Sequence, residues 1–132
     1  PGIIGVGVVA AVAFNTAIWA VGALAGGSFE LTDGGKVQTV APGGVIVFTA
    51  VPLLIGLTLA ALLARWRPGI TRLARLLGSV LALGTILGTF AADFDGVSTV
   101  ALALNHVMIV PVLLVALDAI GHRAHDTSDL SR

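Results

Sequence analysis

In a chain of 132 residues without cysteine, the groups able to do chemistry are three histidines, seven carboxylates and scattered amides and hydroxyls. The missing thiols remove disulfides, thiol catalysis, thiolate zinc and Cys-ligated clusters together. His106 would need an acid at its own level to relay protons. It would need a second axial group to hold haem, which only another copy's His106 could supply, and companion ligands to hold a metal. Its segment provides none of these, and the other two histidines stand close to the C-terminus. No nucleophile–base pair, phosphate-binding loop or HExxH pattern is present. The expectation is a protein with no catalytic residues, no metal and no cofactor. What needs explaining instead is placement, because Asn15, Thr49, Thr85, Asn105 and His106 each interrupt an otherwise apolar run.

Those runs are the elements that must position them. Hydrophobic residues make up 57% of the chain, charged residues 11%, and the mean hydropathy is +1.05. A soluble domain carries roughly 25% charged residues to cover its surface, so a soluble globular enzyme is excluded. The formal net charge of zero leaves no bulk basic field for nucleic acid. A helix crosses a bilayer with about 20 mainly apolar residues, and four stretches qualify: 3–24, 45–63, 70–92 and 97–120. The third qualifies because Arg72 and Arg75 can snorkel from its end. The chain therefore reads as an all-α integral membrane protein, a four-transmembrane-helix bundle forming one domain over residues 1–120. The first stretch lacks a basic flank, so it is expected to be an uncleaved helix and not a signal peptide. With Pro1 in place of an initiator Met, further residues are expected ahead of it.

The link between the second and third spans carries Arg65, Arg67, Arg72 and Arg75, and the C-terminal stretch carries Arg123 and Arg132. The other two links carry Lys36 alone against Glu30, Asp33, Asp93 and Asp95. Basic residues stay on the cytoplasmic side, and an even number of spans then makes both termini cytoplasmic. The four arginines of the link suit the anionic headgroups of that leaflet. Within 28–40, apolar and polar residues alternate about Asp33-Gly34-Gly35, whose glycines supply the positive φ angles of a tight turn. This predicts a short extracytoplasmic β-hairpin between helices 1 and 2, lying over the outer mouth as a connector or as a lid. The stretch 121–132 is polar and small, and is expected to be a disordered cytoplasmic tail.

Asn15 lies about nine residues, and His106 about eight, from the hairpin ends of their spans. At ~1.5 Å per residue both sit roughly 12–14 Å below that surface. Asn105 adjoins His106, and Thr49 and Thr85 enter the same half from spans two and three. Four helices thus each offer a polar group at one level. Pro52 and Pro111 cannot donate to the carbonyls of Phe48 and Val107, and Asn15 or His106 is placed to do so instead. The layer is then a hydrogen-bonded belt, a site for a proton, an ion or the polar head of a lipid or quinone, or part of an oligomer interface. Asp118 is the sole acid inside an apolar run, and His122 at i+4, Arg65 or Arg67 would pair with it at the interface. Asp93 and Asp95 suit the start of the fourth helix. Gly22 with Gly26, and Gly84 with Gly88, form GxxxG spacings that let helices approach closely. Trp19 and Trp66 are placed to anchor the two interfaces.

Several of these features resemble small actinobacterial four-helix membrane proteins of unknown function. The likeness rests on Asn15, on Val40-Ala-Pro-Gly-Gly-Val45 leading into a Pro-containing span, on the Arg-rich link, and on Ala101-Leu-Ala-Leu-Asn-His106 followed by Pro111. It implies the fold and a bacterial inner (plasma) membrane, with no activity attached. Four helices with a hairpin after the first are also similar to claudin-like proteins, in layout only. The first functional expectation is a non-enzymatic accessory, scaffold or self-associating bundle, whose partners are the lipid bilayer and a second copy or another membrane protein. The alternative is binding or transport of a small solute, ion, lipid or quinone at Asn15, Asn105 and His106.

Overall fold

The computed structural model describes residues 2–67 and 69–129. In chain order it has α1 (Gly2–Leu24), β1 (Glu30–Asp33), β2 (Lys36–Thr39), α2 (Pro42–Ala64), α3 (Ile70–Ala91) and α4 (Gly96–Asp129). All four helices are long and apolar enough to cross a membrane. Their bounds follow the apolar runs closely at every end but one. α4 does not stop near residue 120, where a disordered tail is expected from sequence, but continues to Asp129. Packing carries it past residue 120: Ile120 is buried, a Cβ at Gly121 would stand 3.2 Å from Thr71 Oγ1, and Ala124 packs on the core. Residues 130–132 of the expected tail lie outside the described residues.

Local chemistry sets the helix ends. α1 closes in a Schellman motif, with Gly27 N donating to Gly22 O and Gly26 N to Ala23 O. Gly26 takes the left-handed position at φ 95°, which a residue without Cβ adopts freely. α2 opens on Pro42, whose missing N–H is no loss in a first turn. Between them β1 and β2 pair antiparallel, Glu30 opposite Thr39 and Asp33 opposite Lys36. Gly34 and Gly35 both have positive φ, the primed turn foreseen from Asp33-Gly34-Gly35. The blade is largely exposed on both faces. It stands away from the bundle, and only its base closes the mouth.

α4 packs along both α1 and α3, and α1 along α2, whereas α2 and α3 meet only lightly. Two apolar clusters result. One, toward the Arg-rich end, joins Leu53, Leu57 and Ala60 of α2 with Ala11 of α1 and Leu113, Ala116 and Leu117 of α4. The other, at the hairpin end, gathers Phe29, Ala101 and Leu102 with Ile18, Trp19 and Val40 around them. Small residues allow the close approaches, as at Gly7, where a Cβ would lie 3.5 Å from that of Ala116. The GxxxG spacings behave otherwise. Gly22 is tightly packed, Gly26 ends its helix, and Gly84 and Gly88 face open space.

The hairpin base is pinned by one carboxylate. Asp95 precedes α4 as its N-cap, and its Oδ1 accepts from Ser98 N at 2.9 Å, meeting one of the helix's orphan donors. Its Oδ2 accepts from the Ser98 hydroxyl and, at 2.9 and 2.8 Å, from Ser28 N and Oγ. Ser98 Oγ in turn accepts from Phe29 N at 2.8 Å. Phe29 is held at φ 54°, a backbone state costly for an aromatic residue. Its ring wedges between α1 and α4, leaving no room at Gly22, where a Cβ would lie 2.8 Å from both Phe29 Cζ and Ala101 Cβ. Trp19, expected at an interface, packs its ring 5.4 Å from that of Phe29 and donates Nε1 to Val40 O at 2.8 Å.

Two consequences are measurable. Gly22→Ala should lower the melting temperature in detergent, with an overpacking cost of roughly 1–3 kcal/mol. Gly84→Ala, in open space, should leave it unchanged or slightly raised. The hydrogen bonds from Ser98, and then from Ser28, hold the Asp95 carboxyl well below the usual carboxylate range. A carboxyl depressed on folding stabilises fully above its unfolded value, about 3.9, and that contribution is lost as pH falls below it. Melting curves at stepped pH should therefore show wild type losing stability below about pH 4. Asp95→Asn should start lower at neutral pH and show a smaller acid-induced loss.

Candidate functional site

The polar residues singled out from sequence lie between the two apolar clusters. Asn15 of α1, Thr49 of α2 and Asn105 of α4 are all buried. Asn15 Nδ2 donates to Thr49 Oγ1 at 2.9 Å. Asn15 Oδ1 and Asn105 Oδ1 are buried with no hydrogen-bond partner among the described residues. Both amides, with Thr49 and His106, line a cavity of about 350 Å³ whose further walls include Val45, Phe48 and Leu102. Val40, at the foot of the hairpin, lines it too. A buried amide oxygen without a partner is costly, and a belt that served only to satisfy the helices would not leave two of them.

The imidazole is oriented. His106 Nδ1 donates to Leu102 O at 2.8 Å. Because a carbonyl only accepts, the proton of a neutral ring sits on Nδ1 and Nε2 keeps its lone pair. The donors expected to serve the carbonyls freed by the prolines are therefore engaged elsewhere: Asn15 with Thr49, and His106 with Leu102. The reason is proximity, since the Leu102 carbonyl lies one turn back on the same helix and Thr49 faces Asn15 across the α1–α2 seam.

Thr85 does not join the buried cluster. It is exposed on α3 and donates to Ala82 O at 2.7 Å, because α3 is splayed from α2. It lines a second, adjoining cavity of about 280 Å³ between α2 and α3, together with Pro52, Gly56, Gly78 and Leu113. The two cavities share Phe48, Thr49, His106 and Ile109. The amphiphilic shape of the combined space, polar at one end and apolar along the other, was not legible from sequence. Neither was Thr16, whose Oγ1 is buried without a partner among the described residues. Nor were Ser28, Phe29 and Ser98, although Asp95 followed by a serine three residues on is itself a helix-start signal.

At the opposite end, Asp118 pairs with Arg75 of α3. Neither His122 nor the link arginines Arg65 and Arg67 take this role. α3 packs directly along α4, so Arg75 reaches the carboxylate across that seam, while Arg65 and Arg67 are exposed beyond the end of α2. Arg72, Arg75, Asp118 and His122 line a shallow polar depression of about 400 Å³. Both partners of the ion pair are substantially exposed, and such pairs contribute little to stability.

Over residues 3–123 the chain matches the model of a family described as a family of unknown function (DUF6069), and it belongs to that family. No curated protein and no solved structure matches it.

Proposed function

We propose that this family member is a non-enzymatic integral membrane protein of a bacterial inner membrane that binds a lipid-soluble molecule at the Asn15–Asn105–His106 cavity. The observation that carries the binding role is the pair of unpartnered, buried oxygens, Asn15 Oδ1 and Asn105 Oδ1, on one cavity wall. Embedding is supported by the four apolar helices and by their outward side chains, among them Val9, Leu24 and Leu87, which are all largely exposed. Contiguous apolar surface on this scale needs an apolar surrounding. The arginines between α2 and α3 support cytoplasmic termini, with the hairpin on the far side.

A second role, self-association, has one observation in its favour. Gly84 and Gly88 present a smooth, unoccupied strip on α3, the helix with the least buried surface. Close helix approach at such strips is a common basis of association in lipid. Even-numbered multiples in a native mass spectrum would report it.

These 132 residues contain no cysteine, so single cysteines in them can be labelled without background from the rest. In intact spheroplasts a membrane-impermeant maleimide should label Val37→Cys, on the hairpin, and should reach Trp66→Cys only after lysis. The reverse pattern would invert the topology. Gentle extraction and native mass spectrometry should show a bound small molecule on the wild type. Asn15→Leu with Thr49→Val should lose that molecule while melting at the same temperature or slightly higher. Replacing a buried, partly satisfied polar pair by apolar groups of similar shape is nearly neutral or stabilising. A large drop in melting temperature with the bound mass retained would make the layer a structural belt.

A further inference from the structure

We infer that the ligand is a neutral, hydroxyl-headed long-chain lipid that enters sideways from the bilayer between α2 and α3. The inference rests on the ligand-binding reading above and specifies what that site selects.

The head group follows from counting donors and acceptors. Around the two cavities, three donors are already engaged. Asn15 Nδ2 serves Thr49, His106 Nδ1 serves Leu102 O, and the Thr85 hydroxyl serves Ala82 O. The side-chain atoms buried there without a partner are both acceptors, Asn15 Oδ1 and Asn105 Oδ1, and a neutral His106 ring adds the lone pair on Nε2. A head group that only accepts, such as a ketone, ester or ether, leaves all of them unmet. One that carries an O–H donates to one of them and can itself accept from a neighbouring amide. No Lys, Arg, Asp or Glu lines either cavity among the described residues. An ionic head group would therefore be buried unpaired, which low-dielectric surroundings penalise heavily.

The tail follows from the shape. Beyond His106 the adjoining groove is apolar, with Pro52 and Gly56 on the α2 side, Gly78 and Leu81 on the α3 side and Leu113 at its base. A Cβ at Gly56 would meet nothing within 4 Å, so the groove is open there. The direction of entry follows from what is closed. At the hairpin end Val40 walls the head cavity, and it is tied down by Trp19 Nε1 on its carbonyl and by its own N–H on Phe29 O, both at 2.8 Å. Apolar grooves of about 570 and 550 Å³ also lie along the α1–α4 face, but neither shares a lining residue with the head cavity; the α2–α3 groove shares four, and α2 and α3 meet only lightly.

The test uses the purified full chain in detergent with three probes: geranylgeraniol, its O-methyl ether and its monophosphate. Binding is read by native mass spectrometry and by the shift in melting temperature. The alcohol should bind to wild type, with the ether about tenfold or more weaker for want of one donor and the phosphate weaker still. Gly56→Leu, which fills the groove, should lose the alcohol while keeping the wild-type melting temperature without ligand. His106→Phe, which leaves the two amide oxygens in place, should narrow the difference between alcohol and ether without abolishing it. Ether or phosphate binding as well as the alcohol would overturn the donor rule while leaving the site in place. Unchanged alcohol binding by Gly56→Leu would overturn lateral entry. Failure of all three probes, on a wild-type protein that also carries no native small molecule, would overturn the ligand-binding reading itself.

Discussion

Asp95 carries a disproportionate share of the architecture. It caps α4 through Ser98 N and the Ser98 hydroxyl, and it reaches back across the chain to Ser28. Ser98, held in place by that carboxylate, then accepts from Phe29 N. That acceptor is one of the contacts that offset the strained backbone of Phe29, with the Trp19 ring and the Val40 N–H, and without Phe29 the seam between Gly22 and Ala101 has no wedge. The same wedge supports Trp19, and Trp19 holds Val40 over the polar cavity. One carboxylate thus links a helix start, a hairpin base and the wall of a site, each by a directional hydrogen bond whose loss is felt by the next.

The middle of the bundle obeys an opposite logic. In lipid, apolar helices gain no hydrophobic driving force from meeting one another, so association depends on close packing and on polar groups finding partners. The apolar clusters on either side of the layer meet the first requirement with alanines, glycines and leucines. The layer between them meets the second incompletely. Asn15 finds one partner and keeps one oxygen idle, and the Asn105 oxygen is idle too. Buried polar networks left partly unsatisfied are expensive. Such expense is common where a protein handles a ligand.

The light contact between α2 and α3 leaves a groove beside that layer. Pro52 and Gly56 flatten one side, and Gly78 draws α3 onto Leu113 of α4, where a Cβ would come within 2.5 Å of Leu113 Cδ2. α3 therefore leans on α4 and away from α2. The close approach that Gly78 permits brings α3 onto α4 beside the groove, and its polar apex is a product of residues more than thirty positions apart in sequence.

The four helices, the hairpin turn and the level of the polar residues were all readable in the chain, because each depends on local spacing. Apolar runs have a length, Asp33-Gly34-Gly35 has a backbone preference, and the distance of Asn15 and His106 from their helix ends follows from helical rise. Partner choice was not readable in this way. Asp118 pairs with Arg75, the Asn15 amide pairs with Thr49, Phe29 docks at Gly22, and α4 keeps its helix past Gly121. Each of these depends on which helix leans on which, and that is settled by close contacts between small residues distant in sequence. Periodicity says that a face is apolar without saying which neighbour it meets, and so the pairing of faces and the cavity between them belong to the folded bundle alone.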